Sequence, residues 1–264
     1  MSESLALIMG IVNVTPDSFS DGGRFFTSDL ALGRIEKLLQ DGADIIDIGA
    51  ESTRPDAAPV PLEEEWRRLK PVLAVLDQQS LRISVDTYKP EIMRRLLDHR
   101  VEIINDVQGA GQVDDAFLSQ WAKLGRCYLP MHMHRDPKSM QTKPLSLEEC
   151  KPIIQNFYEA TQARLLRLGF PRDKIWLDPG IGFGKNDQAN LYLIRDAMQR
   201  AAETPIALGI SRKSFIGRLL DIESPEERDA PSKMLELAFL FAGVKAVRTH
   251  NVRHLRRLKD TITP

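Results

Sequence analysis

Short runs of apolar, often β-branched residues alternate with longer amphipathic segments along the chain. The runs Leu5–Val14, Asp44–Gly49, Arg82–Asp86, Glu102–Asp106, Cys127–Met133, Lys174–Asp178, Pro205–Ile210 and Lys245–Thr249 are mostly apolar without a polar alternation. That is the form of strands buried on both faces, as in a parallel sheet covered by helices. Between them, Ser28–Gln40 sets Leu32, Ile35, Leu38 and Leu39 at helical spacing, with Ser28 as the expected amino cap and Gly42 just past the end. Leu62–Leu76, Pro90–Leu97, Val113–Leu124, Leu147–Leu168, Ala189–Ala202, Ser232–Ala242 and Val252–Lys259 carry the same helical pattern.

Strict alternation of strand and helix predicts an α/β fold, a single (β/α)8 TIM barrel, in preference to an open doubly wound sheet. The proline-bearing stretches Pro55–Pro61 and Pro137–Pro144 are short and fall between strand and helix, so they read as loops, and residues 1–264 are expected to form one domain. A length of 264 residues fits a lone barrel.

Composition narrows the function. With 42% hydrophobic and 28% charged residues the chain is that of a folded globule. Lys plus Arg number 36 against 37 for Asp plus Glu, so no overall field favours nucleic acid or an anionic membrane, and any anion site must be local. Cys127 and Cys150 lack the spacing of a zinc site or a disulfide framework and are expected to be reduced thiols of a cytoplasmic protein. The opening MSESLALIMGIVNV has no basic leader and its apolar run is interrupted, so neither a signal peptide nor a membrane span is expected.

Polar residues crowd the carboxyl ends of successive strands, the face on which barrels carry their active sites. Strand one ends in Asn13 followed by TPDSFSDGG, two in Asp47 and GAESTRP, three in Asp86-Thr87, four in Asn105-Asp106, five in MHMH, six in DPGIGFGK, seven in SRKS and eight in Arg248-Thr249-His250-Asn251. Taken singly, Asp86 or Asp178 serves equally well as a helix cap, and Lys213 as a solvated charge. His132 and His134 read as packed or hydrogen-bonded imidazoles before metal ligands, since no third ligand accompanies them. Taken together, so many buried polar ends are costly unless a ligand or mutual pairing compensates.

The side chains sort into two chemistries. Asn13, Arg54, Arg248 and His250 supply donors for a multiply charged anion. Asp86, Asn105, Asp178 and Lys213 offer acceptors, an amide and a cation, which suit a flat heterocycle with amino, ring-nitrogen and oxo groups. A substrate with a polar ring at one end and a phosphate at the other follows. Neither a dinucleotide fingerprint nor a Walker lysine pattern is present.

The strings IMGIVNVTPDSFSDGG, DIGAESTRP, ISVDTYKP, INDVQG, MHMH, DPGIGFGK, GISRKSFIG and RTHNV, running from about Ile8 to Val252, resemble the dihydropteroate synthase family in order and spacing. The resemblance implies a pterin-binding barrel that condenses 6-hydroxymethyl-7,8-dihydropterin diphosphate with 4-aminobenzoate, releasing pyrophosphate and 7,8-dihydropteroate in folate synthesis. It implies pterin contacts at Asp86, Asn105, Met133, Asp178 and Lys213, and a diphosphate pocket at Asn13, Arg54, Arg248 and His250. Asn13 would also reach a Mg2+ ion held largely by phosphate oxygens. Thr53, Pro55, Phe183, Lys213 and Ser214 match the aminobenzoate pocket, and Phe19 and Asp21 match a closing first loop. Asp86, Asp178, Lys213, Arg248 and His250 are the residues on which catalysis is expected to rest. A homodimer formed near Ser232–Ala242 and sensitivity of the aminobenzoate pocket to sulfonamides are further implications.

The chain departs from the family pattern at Ala50, Asp56, Asn251 and Pro231, which bear on loop detail before chemistry. Two alternatives share the barrel: a methyltetrahydrofolate-corrinoid methyltransferase, expected to lack the SRKS and RTH elements present here, and a pterin-binding paralogue without catalysis.

Overall fold

The computed structural model describes residues 6–15, 26–52, 58–136 and 139–262. Among these residues seven strands form one parallel sheet: β1 (Leu7–Asn13), β2 (Ile45–Gly49), β3 (Ile83–Asp86), β4 (Ile103–Asp106), β5 (Cys127–Pro130), β6 (Ala207–Gly209) and β7 (Ala246–Thr249), in the order β5-β4-β3-β2-β1-β7-β6. The two edges, β5 and β6, both meet residues 175–178 through single parallel bridges: Tyr128 with Ile175, Met131 with Asp178, and Leu177 with Ile206. This segment is the eighth stave, and it closes the barrel.

The stave forms bridges where the sequence predicts a ladder, and prolines supply the reason. On one side Trp176 donates to the Tyr128 carbonyl at 3.0 Å, Asp178 to that of Pro130 at 3.1 Å, and His132 to that of Asp178 at 2.9 Å. The bond missing from this series needs an N–H at Pro130. On the other side Leu177 donates to Pro205 and Ala207 to Leu177, at 2.9 and 3.0 Å, and the flanking donors are replaced by Pro205 and Pro179. A proline cannot supply a ladder hydrogen bond.

Nine α-helices wrap the sheet among the described residues: α1 (Phe26–Gln40), α2 (Leu62–Leu76), α3 (Pro90–Arg95), α4 (Asp115–Lys123), α5 (Leu147–Arg167), α6 (Asp187–Arg200), α7 (Ser214–Leu220), α8 (Asp229–Phe241) and α9 (Val252–Ile262). Ser28 is not the cap of α1, which begins two residues earlier at Phe26. α7 is an addition to the predicted set, a short helix in the segment after β6. Caps account for several other starts. Asp114 accepts from Phe117 N, Asn186 from Ala189 N, and Ser146 and Glu149 form a reciprocal capping box. Pro231 falls in the first turn of α8, where a missing N–H costs no helical bond.

Strand alternation divides the core in two. Met9, Ile45, Ile103, Cys127, Leu129, Trp176, Ala207 and Ala246 fill the barrel interior, while Ile8, Val12, Ile46, Ile48, Val85, Ile104, Leu208 and Val247 pack outward against the helices. Register then carries polar residues onto the interior face above the apolar plug: Ile11 pairs with Asp47, Asp47 with Ser84, Asp86 with Asn105, and Gly209 with Arg248. The site therefore sits on the floor that the barrel core provides.

Candidate active site

Arg248, on the interior face of β7, reaches across β1. Its Nε donates to Asp47 Oδ2 at 2.5 Å and its Nη2 to Asp86 Oδ2 at 2.8 Å. Asn105 Nδ2 donates to the same Asp47 oxygen at 3.4 Å. Asp47 is fully buried, with Oδ1 meeting no hydrogen-bond partner among the described residues. Burial opposes the charge of Arg248, but Asp47 and Asp86 more than offset it and hold the guanidinium above its ordinary pKa. Burial acts in the other direction on Asp86: despite Arg248, it pushes the carboxyl up to about 7, helped by the negative charges of Asp47, Glu65 and Asp106.

Asp178, at the end of the eighth stave, faces this group. Gly180 N donates to its Oδ1 at 2.7 Å, and burial raises its pKa against the attraction of Lys213, Lys185 and Arg248. Lys213, immediately before α7, sends its Nζ to the Ile181 carbonyl and lies 4.5 Å above the Phe183 ring centre. Burial lowers its pKa to about 8, with Asp178 favouring the charged form. Two glycines permit this geometry. A Cβ on Gly180 would lie 1.9 Å from the His132 carbonyl oxygen, and one on Gly182 would lie 3.1 Å from Lys213 Cδ, both at positive φ.

The structure thus brings Asp86, Asn105 and Arg248 together with Asp47, and joins Asp178, Lys213 and Phe183 on the opposite side. Neither aspartate caps a helix: Lys89 precedes α3 and Asn186 precedes α6. His250 lies apart from the Arg248 pairings, with Nδ1 3.1 Å from Ser211 Oγ and its carbonyl accepting from Arg34 at 2.8 Å. Asn13 ends β1 beside Gly49, Met133 follows the bridge of Met131 to Asp178, and Ser214 opens α7 with its Oγ 3.4 Å from Arg218 Nη1. Phe19, Asp21, Thr53, Arg54 and Pro55 lie outside the described residues, as does Asp56. Of the remaining departures, Ala50 is buried with its carbonyl bonded to Arg68 at 2.9 Å, and Asn251 reaches Asp229 on α8 at 3.3 Å.

Three groups to which the sequence gives no role stand behind the site. Asp47 is the first. The second is a buried ionic cluster: Lys89 bridges Glu51 and Glu65, Thr87 donates to Glu65 at 2.7 Å, and Glu51 accepts from Tyr88 and from Val60 N at 2.8 and 3.2 Å. It ties both flanks of residues 53–57 to the end of β3. The third is Lys185, buried beneath the Gly180–Gly184 turn. The signal for all three is a charged residue inside an otherwise strand-end or loop string. Asp106, by contrast, is structural: it accepts from Tyr128 OH, Gln108 N and Ala110 N at 2.7, 2.8 and 2.7 Å. His132 packs edge-on to Phe157, 5.4 Å between ring centres, with its pKa lowered to about 3 by burial and by the Lys185 and His134 charges.

A parallel barrel whose arginine sits beside paired carboxylates and an amide, with a buried lysine opposite, offers donors and acceptors suited to a polar, flat ring. The family model described as pterin binding enzyme matches residues 9–250, and the chain belongs to that family. It is 42% identical over 253 residues to the dihydropteroate synthase of Neisseria meningitidis serogroup C, covering 93% of this chain and 88% of that one. A Yersinia pestis dihydropteroate synthase solved with a sulfonamide drug superposes with a TM-score of 0.87 at 35% identity, covering 99% of this chain and 94% of that one. The mitochondrial folate synthesis bifunctional protein of Arabidopsis thaliana is 38% identical over 263 residues, 94% of this chain. The chain spans about half the length of that relative, 47% of it.

Among the described residues no group of three or more His, Cys, Asp or Glu could hold a metal ion, and no helix is long and apolar enough to cross a membrane.

Proposed function

We propose that this chain is a dihydropteroate synthase, joining 6-hydroxymethyl-7,8-dihydropterin diphosphate to 4-aminobenzoate with release of pyrophosphate. The observation that carries the reading is the Asp47–Arg248–Asp86 pairing beside Asn105, facing Asp178 and Lys213. Asp86 and Asp178 accept from the ring's amino and N–H groups, Asn105 contributes donor and acceptor, and Lys213 donates to the oxo side. The carbon–oxygen bond to diphosphate breaks and its electron pair leaves with the phosphate. The resulting ring-stabilised cation is captured by the amine, which then loses a proton. No protein nucleophile is required. Preorganised charge does the work: the carboxylates would hold the electron-poor ring, and Arg248, with Arg54 and His250, would receive the developing anion.

Asn13 suits a Mg2+ ion that takes most of its ligands from phosphate and water, since one amide oxygen at a strand end is the donor type such an ion accepts from protein. When bound, the ion would neutralise charge on the leaving diphosphate. Phe183, Ser214 and Lys213, with Thr53 and Pro55, would seat the aminobenzoate, and Phe19 and Asp21 would close the first loop. A sulfonamide would compete for this pocket, as the Yersinia pestis complex supports. The corrinoid methyltransferase reading is disfavoured by SRKS and RTH, which supply Lys213 and Arg248 to the site.

A continuous apolar layer from Ala6 to Leu255 supports one catalytic domain over residues 1–264. Buried, free Cys127 and Cys150 suit a reducing compartment such as the cytoplasm. Met234 and Phe241, 75% and 67% exposed on α8, support a homodimer through that helix. The activity is tested by incubating the protein with both substrates and identifying 7,8-dihydropteroate by mass spectrometry.

A further inference from the structure

Lys185 is 1% exposed and makes no ion pair among the described residues. Its Nζ instead donates to three backbone carbonyls: His132 at 3.0 Å, Gly180 at 2.9 Å and Phe183 at 2.9 Å. An ammonium has three donors, and all three are used here. Burying an unpaired charge is costly, and burial lowers this pKa to about 7, so the arrangement exacts a penalty that ordinary loop closure does not require.

The three acceptors show what is fixed in return. One lies beyond β5, and two lie on the turn after Asp178. That turn also bears the Ile181 carbonyl, which accepts from Lys213, and the Phe183 ring beneath the Lys213 ammonium. Asn190 adds a second tie, accepting from Gly182 N at 2.7 Å and donating to the Lys185 carbonyl at 3.0 Å. Asp178 depends less on this clamp: Gly180 N on the turn reaches its carboxylate, but its own peptide is bonded to Pro130 and His132 on the neighbouring β5 segment.

We propose that Lys185 is a positioning residue for the aminobenzoate side of the site: its ammonium pins the Gly180–Phe183 turn to the end of β5 and so sets where Ile181 and Phe183 hold Lys213. The role rests on the functional reading above and deepens it. Lys213, which serves both substrates, hangs on this turn, but Asp86, Asn105 and Asp178 sit on their own strands, so loss of the clamp damages capture of the amine more than recognition of the ring.

Lys185→Met keeps an unbranched apolar chain and leaves the three carbonyls without their donor. Steady-state kinetics would vary each substrate in turn, and calorimetry would measure binding of 6-hydroxymethylpterin. The KM for 4-aminobenzoate is expected to rise about tenfold or more while the affinity for the ring changes less than about threefold. A merely structural role would lower kcat and the number of binding sites in step with the fraction folded and leave KM and ring affinity unchanged; equal changes, or none, overturn the proposal. If Lys185→Met does not fold, Lys185→Gln, which keeps a shorter N–H donor, must show the same split on a smaller scale. Wild-type protein that forms no dihydropteroate refutes the functional reading, whereas active wild type with an unsplit variant refutes only the role of Lys185.

Discussion

Arg248 on β7 is bonded to Asp47 on β2, so a cation expected at the diphosphate is anchored from below by a buried carboxylate on another strand. The same guanidinium also holds Asp86, linking the two sets of side chains proposed to bind the ring and the anion. Asp47→Ala would leave Arg248 without its main partner. Breaking one side of a buried pair costs about 3–5 kcal/mol, so the thermal midpoint should drop by several degrees. Turnover with pterin diphosphate should fall about a hundredfold, as when a preorganised donor is lost. Thermal unfolding and steady-state kinetics check both effects, and a variant with native turnover would separate Asp47 from the site.

The ionisable groups predict a pH profile. Asp86, pushed up to about 7 chiefly by burial, must lose its proton to accept from the ring. Lys213, lowered to about 8 chiefly by burial, must keep its own. Rising pH therefore gains an acceptor near 7 and loses a cation near 8, and kcat/KM for the pterin diphosphate should peak between them. Lys213→Arg, charged throughout, should remove the descending limb. Stability follows the raised carboxyl pKa: the contribution of Asp86 is greatest while it is protonated and declines as pH rises from the ordinary carboxylate range through about 7. An activity curve flat from 6 to 9 would contradict these assignments.

Gly180→Ala should be severe. The added methyl would meet the His132 carbonyl at 1.9 Å, at a φ of 68°, so the turn bearing Ile181 and Phe183 must shift. A loss of more than about 1 kcal/mol is expected from the backbone alone, and more from the clash. Chemical denaturation measures it. Gly125→Ala, also at positive φ but with open space around it, isolates the backbone part.

These residues show how far the sequence can be read. Apolar periodicity places the staves and most helices, because burial on one or both faces is what that pattern encodes. Asp86, Asn105, Asp178 and Lys213 stand out because charged or amide groups interrupt or end apolar runs. Asp47 belongs to the same pattern, but its role depends on a partner 201 positions away, and spacing along the chain carries no signal of that contact. Lys185 is hidden differently, since its partners are backbone carbonyls and any sequence supplies those. The bridges of the eighth stave depend on where Pro130, Pro179 and Pro205 fall relative to neighbouring strands, a matter of register. α7 carries no side-chain cap bond to announce it.

α8 offers a test of assembly. Its buried side, with Phe239 and Leu240, faces the barrel, while Met234 and Phe241 face away. Phe241→Glu should shift the protein toward monomer in sedimentation velocity without changing its circular dichroism. An unchanged sedimentation coefficient would place any subunit contact elsewhere.

On the proposed reading, this site couples departure of diphosphate to capture of an aromatic amine. Pyrophosphate release from the pterin diphosphate, followed with and without 4-aminobenzoate and repeated with Lys213→Ala, tests it most directly. Rapid release that depends on the amine and matches dihydropteroate formed mole for mole is expected, with turnover nearly abolished in the variant. Release indifferent to the amine, no release at all, or full activity in Lys213→Ala would contradict it.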